Sequence, residues 1–351
     1  MTNMKDDTSD YGEQLGRNKK SYATLINKLK KEFGDSLHVV DKSDSIITDV
    51  VSTGSVSLDI ATGIGGYPRG RIVQIAGWES TGKTTHALIA AANVQKRGGT
   101  VAYIDTEFVF DFSWAEKLGV NTDELLCLQI DDLESAAEAT VDVAQSGDFD
   151  MVIFDSVAGA GIRAIHDGDL GDSNMGKRAK IMSDFMTKLN GVVSKNNIWM
   201  IFINQLRESL DPYKPLPVRP GGKALSFHAS MIIDLRAKKE KGKGTPNYNS
   251  INATIVKNKL APPYREAEYV LEYDGTIDPV SELVNVITNK DYFDKLGISL
   301  AGAWYTMPES WFPDVEDSKF QGSSKIVEAL SSDMDNFERI RNEVISTLIS
   351  R

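Results

Sequence analysis

Four short apolar runs set the rhythm of the first half of the chain: "RIVQIAG" (71–77), "TVAYIDTE" (100–107), "DMVIFDS" (150–156) and "IWMIFINQ" (198–205). Between them apolar positions recur at helical spacing, which predicts helices over 82–97 ending at Gly98-Gly99, over roughly 134–146 and over about 175–195. Continuous apolar strands alternating with helices predict an α/β domain whose mainly parallel, twisted sheet is covered by helices on both faces. "SMIIDLRAK", "NATIVKNKL" and "EAEYVLEY" follow and are expected as antiparallel additions, the first two joined across the Gly/Lys-rich "KEKGKGTPNY". From about residue 279 the pattern is mixed, with short helices and the run "AGAWY", and predicts a small α+β C-terminal lobe.

Ahead of the sheet, residues 1–20 are polar and expected to be disordered. "SYATLINKLKKEF" (21–33) then sets Tyr22, Leu25, Ile26, Leu29 and Phe33 on one helical stripe with lysines opposite. A polar linker to residue 49 offers that N-terminal helix no local partner, so its stripe is expected to dock on the main domain or on another subunit. The expected organisation is a tail (1–20), this helix and linker (21–49), a core (50–278) and the lobe (279–351). One stretch breaks the rhythm. Between Leu206 and Gly222, straight after the fourth strand, stand four prolines, Arg207, Tyr213, Lys214 and Arg219, closed by Gly221 and Gly222. Proline fixes φ and removes a donor, so this stretch is expected as a long loop.

Composition narrows the classes. Hydrophobic residues make up 41% and charged residues 25% of the 351, as in a globular protein, and no apolar stretch reaches eighteen residues, so no membrane partner is expected. The polar, acidic "MTNMKDDTSDYGEQ" is unlike a signal peptide, and with the single Cys127 it points to a reducing, cytoplasmic setting. His38, His86, His166 and His228 show no metal-ligand spacing. The net charge of −11 argues against a nucleic-acid partner, but the charge is unevenly spread. From Gln205 to Leu260 eleven Lys/Arg stand against four Asp/Glu, a local balance of +7 around the proline-rich loop.

"GWESTGKTT" (77–85) fits G-x-x-x-x-G-K-[ST], directly after a buried strand and before a helix. Gly77, Glu79, Ser80, Thr81 and Gly82 form a loop whose backbone N–H groups can wrap phosphate oxygens, and the helix N-terminus adds a favourable dipole. Lys83 is set to reach the β- and γ-phosphates, Thr84 to hold Mg²⁺, and Thr85 completes the first helical turn. Asp155, after the apolar "MVIF", is the expected metal-orienting acid on a neighbouring strand. Glu107, closing "VAYIDTE" on the same sheet edge, is the candidate for activating water; Asp105 is its rival and is expected to face a different side. Gln205 ends the fourth strand on that edge, where an amide can sense the γ-phosphate and from which the proline-rich loop departs. These residues call for a nucleoside triphosphate and Mg²⁺.

Taken together, "STGSVSLDIATGIGGYPRGRIVQIAGWESTGKTT", "YIDTEFVFD", "IFDSVA", "GDSNMG", "IFINQLR", "GGKALSFHAS", "VKNKLAPP" and "AGAWY" closely resemble the bacterial RecA family of homologous-recombination ATPases, from about Lys20 to about Tyr305. The resemblance implies a RecA-like P-loop NTPase core in which Lys83, Thr84 and Asp155 bind MgATP and Glu107 is the catalytic carboxylate. Asp111, Trp114 and Tyr273 match positions close to the adenine, with Trp114 where the family usually has Tyr. Lys257 and Lys259 match a pair that reaches the neighbouring subunit's ATP, so the active site would be complete only between subunits. The stripe from Tyr22 to Phe33 would pack on the next subunit's core.

By the same resemblance two loops, 163–177 and 206–222, would hold single-stranded DNA. Arg163, Met175, Gly176, Arg178 and Lys180 would serve on the first side, and Arg207, Tyr213, Arg219, Gly221, Gly222 and Lys223 on the second. Leu210, Tyr213, Leu216 and Val218 are the side chains available to insert between bases. There are departures from the family. The second loop is about one residue shorter and richer in proline, Ser226 and Ile232 stand where many relatives carry basic residues, and "VISTLISR" lacks the acidity of many members' tails. The implied function is an ATP-dependent recombinase, a helical homo-oligomeric filament on single-stranded DNA that pairs it with homologous double-stranded DNA and exchanges strands in recombination and repair. A ring helicase or branch-migration ATPase on the same core, or an ATP-gated filament promoting a repressor's self-cleavage, are the alternatives.

Overall fold

The computed structural model describes residues 19–33, 49–163, 175–208, 217–238 and 248–349, in two units divided between Ile46 and Ile47. In the first unit, α1 (Lys19–Phe33) forms over the stripe, with Leu25 51% exposed and Ile26 and Leu29 partly exposed. The expected disorder of the tail falls, as far as residue 18, outside the described residues, and so does the linker over 34–48.

In the second unit β1 (Val50–Val51), α2 (Val56–Thr62) and β2 (Tyr67–Pro68) precede the main sheet. Its strands are β3 (Arg71–Gly77), β4 (Val101–Asp105), β5 (Leu125–Gln129), β6 (Met151–Asp155), β7 (Trp199–Gln205), β8 (Met231–Lys238), β9 (Tyr248–Asn258) and β10 (Glu266–Glu272). Their order is β10-β9-β8-β3-β7-β6-β4-β5. The six strands from β8 to β5 are parallel, and β9 pairs antiparallel with both β8 and β10. This corrects the expectation that β8 is an antiparallel addition. The chain between Gln205 and Met231 is long enough to cross back over the sheet, and a crossover returns a strand in parallel, whereas β8 and β9, separated by far fewer residues, pair antiparallel. Strand β5, "LLCLQ", was not expected, although Leu125 to Leu128 form a continuous apolar run; it is a half-buried edge strand paired with β4.

The period of two along the strands explains how the sheet is covered. Val73, Ile75, Ile201 and Ile203 face α3 (Lys83–Gln95), whose Ala87, Leu88, Ala91 and Val94 are buried against them. Ile72, Val152, Phe154, Met200 and Phe202 face the other way, toward α5 (Leu133–Ser146) and α6 (Met175–Lys195), which follow α4 (Phe112–Lys117). Asp132 caps α5 by accepting from Ser135 N at 2.8 Å, and Gly147 ends it at φ 80. A short helix, α7 (Ala224–His228), leads into β8.

After β10 come α8 (Pro279–Ile287), α9 (Phe293–Leu296), the antiparallel β11 (Ser299–Ala301), β12 (Trp304–Thr306) and β13 (Lys319–Gln321), then α10 (Ser323–Ser332) and α11 (Met334–Ile349). Leu283, Ile287, Trp311, Phe337, Ile340 and Val344 form a separate core there, joined by Val56 and Ile60 of α2. Buried Glu282 accepts from Ser55 Oγ, from Val56 N at 2.8 Å and from Ser57 N at 3.1 Å, so a carboxylate of α8 caps α2. Among the described residues no helix is long and apolar enough to cross a membrane.

Candidate nucleotide and DNA-binding site

The turn from β3 into α3 is built around two glycines. A Cβ on Gly77 would lie 2.4 Å from Thr81 Oγ1 and 2.8 Å from Leu235 O, and one on Gly82, at φ +85, would lie 2.4 Å from Leu271 Cδ2. Thr81 Oγ1 and Lys83 Nζ both donate to Trp78 O, at 2.8 and 2.7 Å, closing the loop on itself. Burial holds the Lys83 ammonium below the usual lysine value, against the pull of Asp155, Glu107 and Glu79. Thr84 Oγ1 donates to Asp155 Oδ2 at 2.9 Å, and Tyr103 OH donates to the same oxygen at 2.5 Å. Burial pushes Asp155 up to about 6 despite those two bonds. Glu79 and Ser80 are exposed at the rim, Thr85 is buried in the first turn, and His86 behind it links Thr53 O (3.1 Å) to Tyr269 OH (2.6 Å). A buried carboxylate beside a hydroxyl, next to a glycine turn that a Cβ would fill, is the donor set and the cradle that MgATP requires.

The strand order decides what else reaches this edge. The expectation that Asp155 stands on a strand next to β3 is corrected: β7 lies between, with Gln205 in register beside Gly77, although the Asp155 carboxylate still reaches Thr84. Gln205 Nε2 donates to Glu107 Oε1 at 3.3 Å, Ser156 Oγ donates to the same oxygen, and Gly159 packs against the Glu107 side chain. Asp105 does face elsewhere, accepting from Glu107 N and Phe110 N at 3.0 Å and from Gln129 Nε2 at 3.1 Å. Strand alternation would have kept residues two apart on one side; the separation arises because β4 ends at Asp105 and the chain turns, with Phe108 at φ 57. Asp111 caps α4 by accepting from Trp114 N at 3.0 Å. Trp114 lies against Gly275, two residues beyond exposed Tyr273.

Lys257 and Lys259 are elsewhere. Lys257 pairs across β9–β8 with Ile232, level with Gln74 and three positions back from Gly77. Its Nζ donates to Ser226 O (2.6 Å) and Phe227 O (3.0 Å), and Lys259 Nζ donates to Phe227 O (3.3 Å), so both cap α7 and neither meets Lys83. Burial, then the charge of Lys259, holds Lys257 below its usual value. Sequence reasoning missed Phe227, 69% exposed on α7, and the exposed Trp78, Phe108, Val109 and Phe112 around the nucleotide edge. The apolar run "FVF" was the available signal, but it reads as strand until the turn at Phe108 is seen.

The two loops expected to hold DNA are described at their bases; residues 164–174 and 209–216, with Leu210, Tyr213 and Leu216, lie outside the described residues. Arg163 is turned onto α5, donating to Asp132 Oδ1 (3.0 Å) and Ser135 Oγ (2.6 Å). Met175 opens α6, and Gly176 and Lys180 are exposed on its first turns. Arg178 donates to Val157 O (3.0 Å) and Ala160 O (2.6 Å); burial and then the charge of Arg207 hold it below the usual guanidinium value. The limbs of the second loop are tied to each other, Arg207 N to Val218 O at 3.0 Å and Val218 N to Arg207 O at 2.8 Å. Gly221 and Gly222, both at positive φ, lie against Val157 and Ala179, so the loop's exit rests on α6. The two loop bases therefore meet. Arg207, Lys180 and Lys223 are exposed there, whereas the guanidinium groups of Arg178 and Arg219 are engaged inside the fold, Arg219 with Asp234, and that of half-exposed Arg163 is paired with Asp132.

Comparison with known proteins agrees with this geometry. The RecA N-terminal domain family matches residues 20–278. A "Protein RecA" of Thermus thermophilus is 39% identical over 331 residues, covering 93% of this chain and 94% of its own. Those of Leptospira meyeri and Enterococcus mundtii are 40% and 42% identical over 309 and 288 residues, covering 86% and 81% of this chain and 79% and 82% of their own. A crystal structure of the RadB recombinase matches in fold with a TM-score of 0.50 at 23% identity, over 64% of this chain and 98% of that one. By family match and by relatives covering most of its length, the chain belongs to the RecA family.

Proposed function

We propose that this RecA-type recombinase binds ATP at the β3–α3 turn, assembles as a helical filament on single-stranded DNA held between its two loop bases, and exchanges that strand into a homologous duplex. The observation that carries the reading is the unbroken path from the phosphate loop through Gln205 to the DNA-side loop. Gln205 touches Glu107 at 3.3 Å, and the next two residues begin the loop pinned at Arg207.

Thr84 and Asp155 would hold Mg²⁺, which when bound neutralises phosphate charge. Lys83 is set to bind phosphate oxygens once it exchanges Trp78 O for them, and the backbone donors of 79–83 orient the polyphosphate. Glu107 is the water-orienting carboxylate, held by Ser156 and Gln205. Trp114, with Asp111 and Tyr273, offers a flat surface to the base. Arg207, Lys180 and Lys223, with the backbone at Gly221 and Gly222, are the free donors for DNA phosphates. Lys257 and Lys259, distant from their own P-loop, serve a neighbouring subunit's nucleotide, with α1 as a second contact between subunits. Electron microscopy of the chain with single-stranded DNA and a non-hydrolysable ATP analogue should show helical filaments; closed rings would favour the helicase alternative.

A further inference from the structure

Under the second loop the sheet is polar where it should be apolar. Ile72, Phe202 and Ile232 on the α6-facing side of β3, β7 and β8 are core residues, yet the next positions on that side are Gln74, Asn204 and Asp234, all buried. Asn204 and Asp234 flank Ala76 from either side in register, and the small alanine leaves room above it. The returning limb of the loop fills that room. Both Arg219–Asp234 distances, from Nη2 to Oδ1 and to Oδ2, are 2.6 Å, and Asn204 Nδ2 donates to Pro220 O at 3.0 Å. Each anchor adjoins the nucleotide edge. Asn204 precedes Gln205, and Asp234 precedes Leu235, whose carbonyl lies against Gly77.

We propose that Arg219 is a positioning residue rather than a phosphate contact: its ion pair with Asp234 latches the loop's returning limb to β8, so that engagement of the loop by DNA is transmitted to Gln205 and the P-loop. The proposal rests on the functional reading above. It follows from occupancy and charge. A guanidinium that already satisfies a buried carboxylate cannot leave for a phosphate without stranding that carboxylate, and the exposed Arg207, Lys180 and Lys223 are free for the purpose.

The test compares Arg219→Gln, Asp234→Asn and the double variant, in which two amides replace the pair without a lone buried charge. Two quantities are read on a single-stranded oligonucleotide: the slope of log affinity against log salt, and the factor by which DNA raises ATP turnover. A latch predicts that Asp234→Asn reproduces Arg219→Gln, that the double variant is no worse than either, that DNA stimulation falls about tenfold, and that the salt slope stays at the wild-type value. A phosphate contact predicts a slope smaller by about 0.7 in Arg219→Gln and unchanged or tighter binding in Asp234→Asn, which would overturn the proposal. Full DNA stimulation in all three variants overturns the latch alone. A wild-type protein whose turnover ignores single-stranded DNA overturns the functional reading and the latch with it.

Discussion

Gly159 is not itself a candidate catalytic or ligand-binding residue, yet one methyl added there tests the assignment of Glu107. A Cβ on Gly159 would lie 2.3 Å from Glu107 Cγ and 3.0 Å from both Cδ and Oε1. Carbon atoms sit about 3.5–4.0 Å apart in ordinary contact, so the Glu107 side chain must retreat by more than about 1 Å. The backbone at Gly159 does not need positive φ, and the clash is with a side chain that can change rotamer, so the fold should survive Gly159→Ala. The carboxylate should not stay where it is, because its 3.3 Å bond from Gln205 Nε2 is already long and a further ångström breaks it. A misplacement of that size costs about 100-fold in rate, roughly 2.7 kcal/mol of barrier. Steady-state ATP turnover on single-stranded DNA should fall by about that factor, with the affinity for a fluorescent ATP analogue and the melting temperature near wild type. Wild-type turnover in a folded Gly159→Ala protein would refute Glu107 as the positioned carboxylate.

Four further outcomes follow from the same geometry. Lys83→Ala should abolish ATP-dependent strand exchange, measured by joint-molecule formation, because it removes the side-chain cation that the phosphate turn itself supplies. Gln205→Ala should leave nucleotide affinity largely intact while turnover no longer responds to DNA; full DNA stimulation in that variant would break the proposed link. If Lys257 acts on a neighbouring subunit, mixing inactive Lys83→Ala and Lys257→Ala chains should restore turnover at up to about a quarter of sites, and no recovery would argue for action within one chain. Burial pushes His86 down to about 4, below its unfolded value of about 6.5, so its contribution to stability is complete above pH 6.5 and is lost as pH falls toward 4. Denaturant unfolding should therefore show wild type losing about 2 kcal/mol more than His86→Gln between pH 7.5 and 5.

Much of the architecture was legible in the sequence because the informative signals are local. The P-loop turn, the buried strands and the residues that end them depend on short-range pattern, and α5, α6 and β7 formed within a residue or so of the expected bounds. What failed was non-local. The direction of β8 depends on how the chain travels between Gln205 and Met231, not on the composition of "SMIIDLRAK". Asp155 was expected beside the P-loop strand, but strand order is set by crossovers, and β7 came between. Arg219 reads as a loop cation until Asp234, fifteen residues on, is seen beneath it. The same holds for Arg163 and Arg178, whose partners lie on α5 and on the turn after β6. Charge counted along a chain gives the sign of a surface, and only the fold says which charges are already spent.

Strand exchange driven by ATP is measured most directly in a reaction between circular single-stranded DNA and homologous linear duplex. Joint molecules should form that require ATP, Mg²⁺ and homology and that disappear with Lys83→Ala. Unwinding of duplex regardless of homology, or coating of the single strand with no joint molecules under any nucleotide, would contradict that reading.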